Sequence, residues 1–381
     1  MIITPSKLPG TVNSIFSVMS KLADEHQAIN LSQGFPDFEC DPALFELVNR
    51  AMKTGFNQYA PMTGLPALRE LIADKVNQLH GSSYHPENEI TVTAGATQAI
   101  FTAIASSINP GDEVIIFEPA YDCYAPTVKM FGGLVKSYIM KQPNYTIDWD
   151  MVKKLFSVNT KMIILNSPHN PTGSVLLEKD IQALIKLTHN TDILILSDEV
   201  YEHVIYDGQQ HHSIARYPEL RERAFIIASF GKLLHTTGWK TGYCLAPEFL
   251  MKEFRKIHQF NVFSVNTPMQ VAIAQYLQNS SSYTNLAAYF QKKRDSFREM
   301  LGATKFDLLP CHGSYFQCVT YKKISQEADT ALATRLIKDF GVAAIPVSAF
   351  YSRPVDSYVL RFCFAKEQET LEKAVERLIK L

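Results

Sequence analysis

Five short apolar runs punctuate the middle of the chain, at residues 90–93, 113–117, 161–165, 192–196 and 224–228, and helical patterns such as 97–107 and 178–188 separate most of them. Runs this short and this continuously apolar read as strands buried on both faces. Their alternation with helices predicts a mainly parallel sheet covered on each side. Ahead of them, residues 14–26 place Ile15, Phe16, Met19, Leu22 and Ala23 on one helical stripe, and 66–79 place Leu68, Leu71, Ile72, Val76 and Leu79 on another. The rhythm stops near residue 275. A polar helical region follows at 279–301, then strand-like patterns at 306–321, 342–347 and 358–364, a helix at 330–339 and a last amphipathic helix at 368–380. This second pattern predicts a smaller α+β unit, to which a short extended N-terminal arm returns.

Composition narrows the class without choosing the chemistry. The chain has 381 residues, 46% of them hydrophobic, and a formal net charge of −1. That is ample for one large core and a smaller one. Balanced charge gives no footprint for nucleic acid or an anionic membrane surface, and no apolar run approaches the roughly 20 residues that span a bilayer. Six cysteines (Cys40, Cys123, Cys244, Cys311, Cys318, Cys363) form no C-x-x-C pair and no metal-ligand spacing. They read as reduced thiols, and no metal is expected. The first ten residues hold no apolar segment of signal-peptide length. The expectation is a soluble, cytoplasmic protein.

Candidate chemistry sits where the apolar runs end. The run at 224–228 delivers Ser229-Phe230-Gly231-Lys232, and Lys240 follows between Trp239 and Gly242. A lysine at such a lip is ordinarily solvated; buried, its ammonium loses proton affinity and the amine becomes a nucleophile. Gly95-Ala96-Thr97 opens a helix after the first run, either as a plain tight turn or as a helix N-terminus that holds phosphate. Asn166 to Gly173 sets two asparagines at the mouth of the sheet; a structural turn accounts for its prolines and glycine, not for the amides. Asp198 and Tyr201 follow the run at 192–196, where a buried carboxylate is costly unless it faces a cation or caps a helix. Together these groups line the carboxyl ends of parallel strands, where open α/β sheets bind ligands. Pyridoxal 5'-phosphate needs this set: an amine for its aldehyde, a carboxylate on its ring nitrogen, donors to its ring oxygen and a cup for its phosphate.

The chain resembles the class I/II pyridoxal-phosphate aminotransferases of fold type I, and within them the branch of kynurenine aminotransferases, glutamine transaminase K and bacterial methionine aminotransferases. The likeness covers almost the whole chain. It rests on NLSQGFPDF (30–38), NQYAPMTG (57–64), HNPTG (169–173), SDEVYEH (197–203), SFGK (229–232), GWKTGY (238–243) and LRFCFAK (360–366). It implies the pyridoxal-phosphate-dependent transferase fold, an α/β chain with a mainly parallel seven-stranded sheet covered by helices plus a smaller α+β domain. The boundaries implied are 1–35 for the N-terminal arm and part of the small domain, 36–280 for the large cofactor-binding domain and 281–381 for the small C-terminal domain.

By the same resemblance, Lys232 bonds to the cofactor and carries the substrate's proton, Asp198 meets the ring nitrogen, and Asn170 and Tyr201 bind the ring oxygen. Gly95, Ala96, Thr97, Ser229 and Lys240 form the phosphate cup, completed by Tyr59 of the partner subunit in a homodimer with shared active sites. Tyr121 stacks on the ring. Gly34, Asn170 and Arg361 receive the substrate carboxylate, which Arg361 grips bidentately as a lysine cannot. Phe16, Tyr59, Tyr121, Phe263 and Phe316 line the side-chain pocket, with Phe263 lent across the interface. One departure, Leu233-Leu234-His235 after the glycine–lysine pair, touches the pocket rim rather than a catalytic role.

The implied reaction moves the amino group of methionine or an aromatic amino acid, with glutamine and kynurenine also open, to a 2-oxo acid. No arginine matches the one that dicarboxylate-specific relatives use. A pyridoxal-phosphate-dependent β-lyase acting on C–S bonds shares the fold and the lysine and stays open; pyruvate and ammonia released without an oxo-acid acceptor would mark it. A transcription regulator would need a basic DNA-binding module ahead of Gly34, for which the stretch is too short. A cofactor-free scaffold gives no reason for both Lys232 and Asp198.

Overall fold

Alternate residues of the central strands face opposite sides of one sheet. Ile163, Leu165, Ile195 and Ile226 join the core on one side, and Met162, Ile164, Leu196, Phe225 and Ile227 join the core on the other. This period of two, with apolar residues in both registers, is why the runs look continuous in sequence. In the computed structural model, residues 5–11, 13–279, 281–355 and 357–381 are described. The start of the expected arm, residues 1–4, lies outside the described residues.

The strands run in chain order as β1 (Ile29–Asn30), β2 (Ile90–Thr93), β3 (Glu113–Glu118), β4 (Leu134–Ile139), β5 (Thr160–Asn166), β6 (Leu194–Asp198), β7 (Ala224–Ser229), β8 (Gly242–Leu245), β9 (Asp307–Leu308), β10 (Phe316–Thr320), β11 (Val342–Ala343), β12 (Ile345–Pro346) and β13 (Val359–Cys363). The large sheet has the order β2-β8-β7-β6-β5-β3-β4. Its pairs are parallel except where β8 lies antiparallel between β2 and β7. The mainly parallel seven-stranded sheet is therefore present, covered on one side by helices Ala96–Ser107 and Glu248–Asn261, whose Ile100, Ile104, Met251 and Phe254 enter the second core.

A four-stranded sheet, β12-β13-β10-β9, and the parallel pair β1-β11 make up the rest. Ile29 pairs with Val342 and Asn30 with Ala343, so the N-terminal segment returns to the C-terminal part of the chain. No helix among the described residues is long and apolar enough to cross a membrane.

Several elements differ from the pattern-based expectation. The sequence at 342–347 reads as one strand, but β11 and β12 belong to different sheets, since the chain turns at Ala344 from its pairing with β1 to its pairing with β13. The stretch 306–321 splits into β9 and β10 around a turn containing Pro310 and Gly313. β4 escapes the pattern because it is an edge strand whose Leu134 and Ile139 are exposed. Helices Pro42–Lys53 and Thr267–Leu277 also escape, though each carries a start signal: Asp41 accepts from the Ala43 N–H at 2.9 Å, Asn266 accepts from the Met269 N–H at 3.1 Å, and a proline stands in each first turn.

Candidate active site

A cavity of ≈ 190 Å³ opens at the carboxyl ends of β2, β5, β6 and β7. Gly95, Ala96, Thr97, Tyr121, Asn170, Asp198, Tyr201, Ser229, Lys232 and Lys240, ten of the expected residues, line it. A wider hollow of ≈ 400 Å³ around Arg353 and Tyr358 brings together none of them.

Lys232 sits in the single helical turn Phe230–Leu233 that follows β7. Its Nζ donates to the Gly34 carbonyl, and its own carbonyl accepts from Tyr315 Oη at 2.6 Å. The Nζ lies 5.4 Å from the centre of the Tyr201 ring and 5.6 Å from that of Tyr315. Burial pushes the ammonium down to about 8, helped by the like charges of Arg361 and Lys240 and opposed by Cys363 and Asp198.

Asp198 ends β6 with both carboxylate oxygens engaged. Oδ2 accepts from Tyr124 Oη at 2.6 Å and Oδ1 from the Val200 N–H at 3.2 Å. Burial pushes its carboxyl up to about 6, against the pull of those two hydrogen bonds.

Asn170 and Arg361 form one unit. The Asn170 N–H donates to Asn166 Oδ1 at 2.8 Å, and Asn170 Oδ1 accepts from Arg361 Nη1 at 2.7 Å, which leaves the amide's NH₂ as the free donor. Arg361 is fully buried; Nη2 donates to the Ser32 carbonyl at 2.6 Å, and Nε is buried without a partner. Its guanidinium lies 3.8 Å from the centre of the Phe316 ring, 5.2 Å from Phe16 and 5.5 Å from Phe350. Aromatic faces thus hold a cation that has no carboxylate partner among the described residues. Phe16 also stands 6.5 Å from Tyr121, between centroids.

The Gly95 end of the cavity is shaped by backbone. Gly95 caps helix Ala96–Ser107 at φ 79° and ψ 169°, a region closed to residues with a side chain. A β-carbon there would stand 3.3 Å from Lys240 Nζ. Lys240 itself is left-handed, φ 51°, and holds its ammonium beside Gly95, the residue that caps that helix. The first-turn N–H groups of a helix have no intrahelical acceptor, so anion-binding groups converge from the peptide and from the side chain.

Six expected residues lie outside the cavity lining: Gly34 and Arg361 reach it through Lys232 and Asn170, Phe16 and Phe316 stand against Arg361, and Tyr59 and Phe263 are not brought to it by this chain's own fold. Tyr59 is 83% exposed and Phe263 49% exposed, their rings 5.4 Å apart on the surface. Residues that the motif reading left without a role are Tyr124, the backbone of Val200, Phe350 and the Ser32 carbonyl. Tyr124 lay in plain view in EPAYDCY (118–124), but nothing in a single sequence tells which of two tyrosines turns toward Asp198.

An amine of lowered basicity, a buried carboxylate, an anion cup and a carboxylate-seeking guanidinium in one cleft suit covalent capture of an aldehyde and proton movement next to it. Comparison with known proteins agrees in family. Residues 26–378 match the family model described as aminotransferase class I and II. The chain is 45% identical to methionine aminotransferase of Escherichia coli (strain K12), over 100% of this chain and 99% of that protein. It is 34% identical to kynurenine–oxoglutarate transaminase 1 of Mus musculus, over 98% of this chain and 96% of that protein. Among solved structures, an Escherichia coli protein identified as having a methionine aminotransferase function superposes with a TM-score of 0.97 at 45% identity, covering 100% of both chains. N-succinyldiaminopimelate aminotransferase of Mycobacterium tuberculosis superposes with a TM-score of 0.95 at 33% identity, covering 99% of this chain and 100% of that one.

Proposed function

The chain belongs to the class I and II aminotransferases, and we propose that it uses pyridoxal 5'-phosphate to move the amino group of methionine or an aromatic amino acid to a 2-oxo acid. Enzymes of this family are generally pyridoxal-phosphate-dependent. Two features fit the cofactor and its substrate: the space that Gly95 keeps open beside Lys240, and the buried Arg361 Nε that waits for an acceptor. Bound here, the cofactor supplies an aldehyde that condenses with amines and a ring that accepts the electron pair left when a proton is removed.

The chain's own residues do the rest. Lys232 Nζ, its ammonium lowered to about 8 by burial, would hold the cofactor covalently and, when free, would move the proton at the substrate's α-carbon. Asp198, which lines the cavity, would be the counter-charge of a protonated ring nitrogen. Asn170 and Tyr201 would donate to the ring oxygen, and Ala96, Thr97, Ser229 and Lys240 would hold the phosphate. Tyr121 would cover the ring face, and Gly34, Asn170 and Arg361, the last two already hydrogen-bonded to each other, would seat the carboxylate.

The observation that carries the specificity is the ring of Phe16, Phe316 and Phe350 around Arg361. Such a wall rewards a thioether or an aryl group. It offers a second carboxylate nothing, and an unpaired buried carboxylate costs several kcal/mol on a rough scale. The 45% identity to methionine aminotransferase supports the same choice. Measured with one common oxo acid, kcat/KM is expected to rank methionine and phenylalanine far above aspartate; aspartate leading would overturn the reading.

The working unit in this proposal is a cytoplasmic homodimer. Tyr59 and Phe263, exposed side by side, would enter the second subunit's cavity and so complete both sites at once. Activity from a monomer in sedimentation at assay concentration would contradict it. The domains are assigned as 1–35 with 281–381 for the small unit and 36–280 for the large one; all seven strands of the large sheet fall inside the latter range.

A further inference from the structure

Tyr124 is a buried phenol outside the cavity lining whose hydroxyl, among the described residues, makes its hydrogen bond to Asp198. Its hydroxyl donates to Oδ2 at 2.6 Å while the Val200 N–H holds Oδ1 at 3.2 Å. The two bonds come from different elements, helix Tyr124–Met130 and the segment after β6, so the carboxylate plane is fixed from both sides. A remaining lone pair then faces the cavity, where Asp198 is a lining residue. We propose that Tyr124 is the positioning residue that keeps Asp198 aimed and ionised, so that the protein binds a protonated pyridine ring in preference to a ring of the same shape with no nitrogen.

A phenol suits this task for a physical reason. It stabilises the anion by donation without neutralising it, whereas an arginine or lysine would satisfy the carboxylate and leave it nothing for the ring. The hydroxyl stays a donor because burial and the charge of Asp198 hold its proton far above the ordinary tyrosine range. Without it, Asp198 keeps one hydrogen bond against the full burial that already favours its protonated form. A proton taken up by Asp198 removes the counter-charge, and the ring nitrogen loses its reason to be protonated.

This inference rests on the cofactor assignment, and its test separates the two. Affinities are measured for pyridoxal 5'-phosphate and for its analogue with carbon in place of the ring nitrogen, on the parent protein and on Tyr124→Phe. If the parent binds neither, the cofactor assignment fails. If the parent prefers the nitrogen-containing ring, Tyr124→Phe should weaken its binding by about tenfold or more, the scale of a buried hydrogen bond to a charge, and leave the carbon analogue unchanged. A ring nitrogen labelled with the heavy isotope should shift from the protonated toward the neutral resonance position. A purely structural role would weaken both ligands alike, and unchanged preference would overturn the proposal as well. Should Tyr124→Phe fail to fold, Tyr124→Phe combined with Asp198→Asn carries no stranded charge. Its preference should equal that of Asp198→Asn alone, because Tyr124 acts only through the carboxylate. A further loss in the double variant would overturn the idea.

Discussion

Gly34 and Phe316 fit together through a missing atom: a β-carbon on Gly34 would fall 2.7 Å from Cζ of the Phe316 ring. That ring is the face on which the Arg361 guanidinium rests, at 3.8 Å. Gly34 also offers its carbonyl to Lys232 Nζ. One glycine therefore touches both the ring on which the Arg361 cation rests and the Lys232 amine.

Gly34→Ala should displace Phe316 and, with it, Arg361. The expected result is a stability loss of about 1–3 kcal/mol from overpacking and a fall in kcat/KM of about tenfold to a hundredfold, because small misplacements of a positioning group are costly. Thermal unfolding and steady-state kinetics check both. An unchanged KM for methionine would mean that the ring does not seat the arginine.

Arg361→Lys keeps a charge but loses the planar fork and its bond to Asn170. Turnover of amino acids should fall by about a hundredfold, the scale of lost charge-assisted hydrogen bonds. Reaction with a simple amine of the same side chain, lacking the carboxylate, should be little affected. An equal loss for both substrates would point to general damage instead.

Lys232→Ala should still take up pyridoxal phosphate through the cup but lose the absorbance of the covalent link. Proton transfer by a positioned amine contributes about a hundredfold to ten-thousandfold, and the covalent step more, so turnover should nearly vanish. Substantial transamination by this variant would remove Lys232 from the reaction.

The pH behaviour of the cofactor-free protein follows from the partly buried Lys232 and the buried Asp198. Lys232, lowered to about 8, is protonated and unreactive below that pH, and each unit lower cuts its neutral fraction about tenfold. Covalent capture of the cofactor should therefore quicken as pH rises to about 8 and level off above it. Asp198, raised to about 6, loses its charge as pH falls through that value. Cofactor affinity should drop on that acid side, and Asp198→Asn should lack this limb. Absorbance titrations at a series of pH values read both, and a flat profile between pH 5 and 8 would contradict the assignment of these groups.

Much of this was legible from residues alone where one local rule decided the outcome. β2 and helix Glu178–Thr188 lie where the apolar pattern put them, because a both-faces-buried strand and a one-face-buried helix write different periods. Arg361, Asn170, Asp198 and Lys232 stand out as candidates because their motifs are specific in combination, and the fold brings Asn170, Asp198 and Lys232 to one cavity with Arg361 bonded to Asn170. What the sequence hid was set by tertiary partners. Whether Ala343 and Ile345 continue one strand depends on β1 and β13, hundreds of residues away in one case and close in the other. β8 is a strand only because β2 and β7 flank it, and a β-carbon on its Gly242 would stand 2.7 Å from the Ala228 carbonyl. The direction in which Tyr124 turns belongs to the same kind of information.

The return of residues 29–32 to the far end of the chain orders events during synthesis. Every strand of the large sheet, and every residue lining the cleft between Gly95 and Thr241, has left the ribosome while β11 and β13 are still unmade. Ile29 and Asn30 must wait for Val342 and Ala343, the Leu31 carbonyl for the Cys363 N–H, and the Ser32 carbonyl for Arg361. A nascent chain thus has every residue that lines the cleft before it has Arg361. Domains emerging from the ribosome tend to fold as units, N-terminal part first.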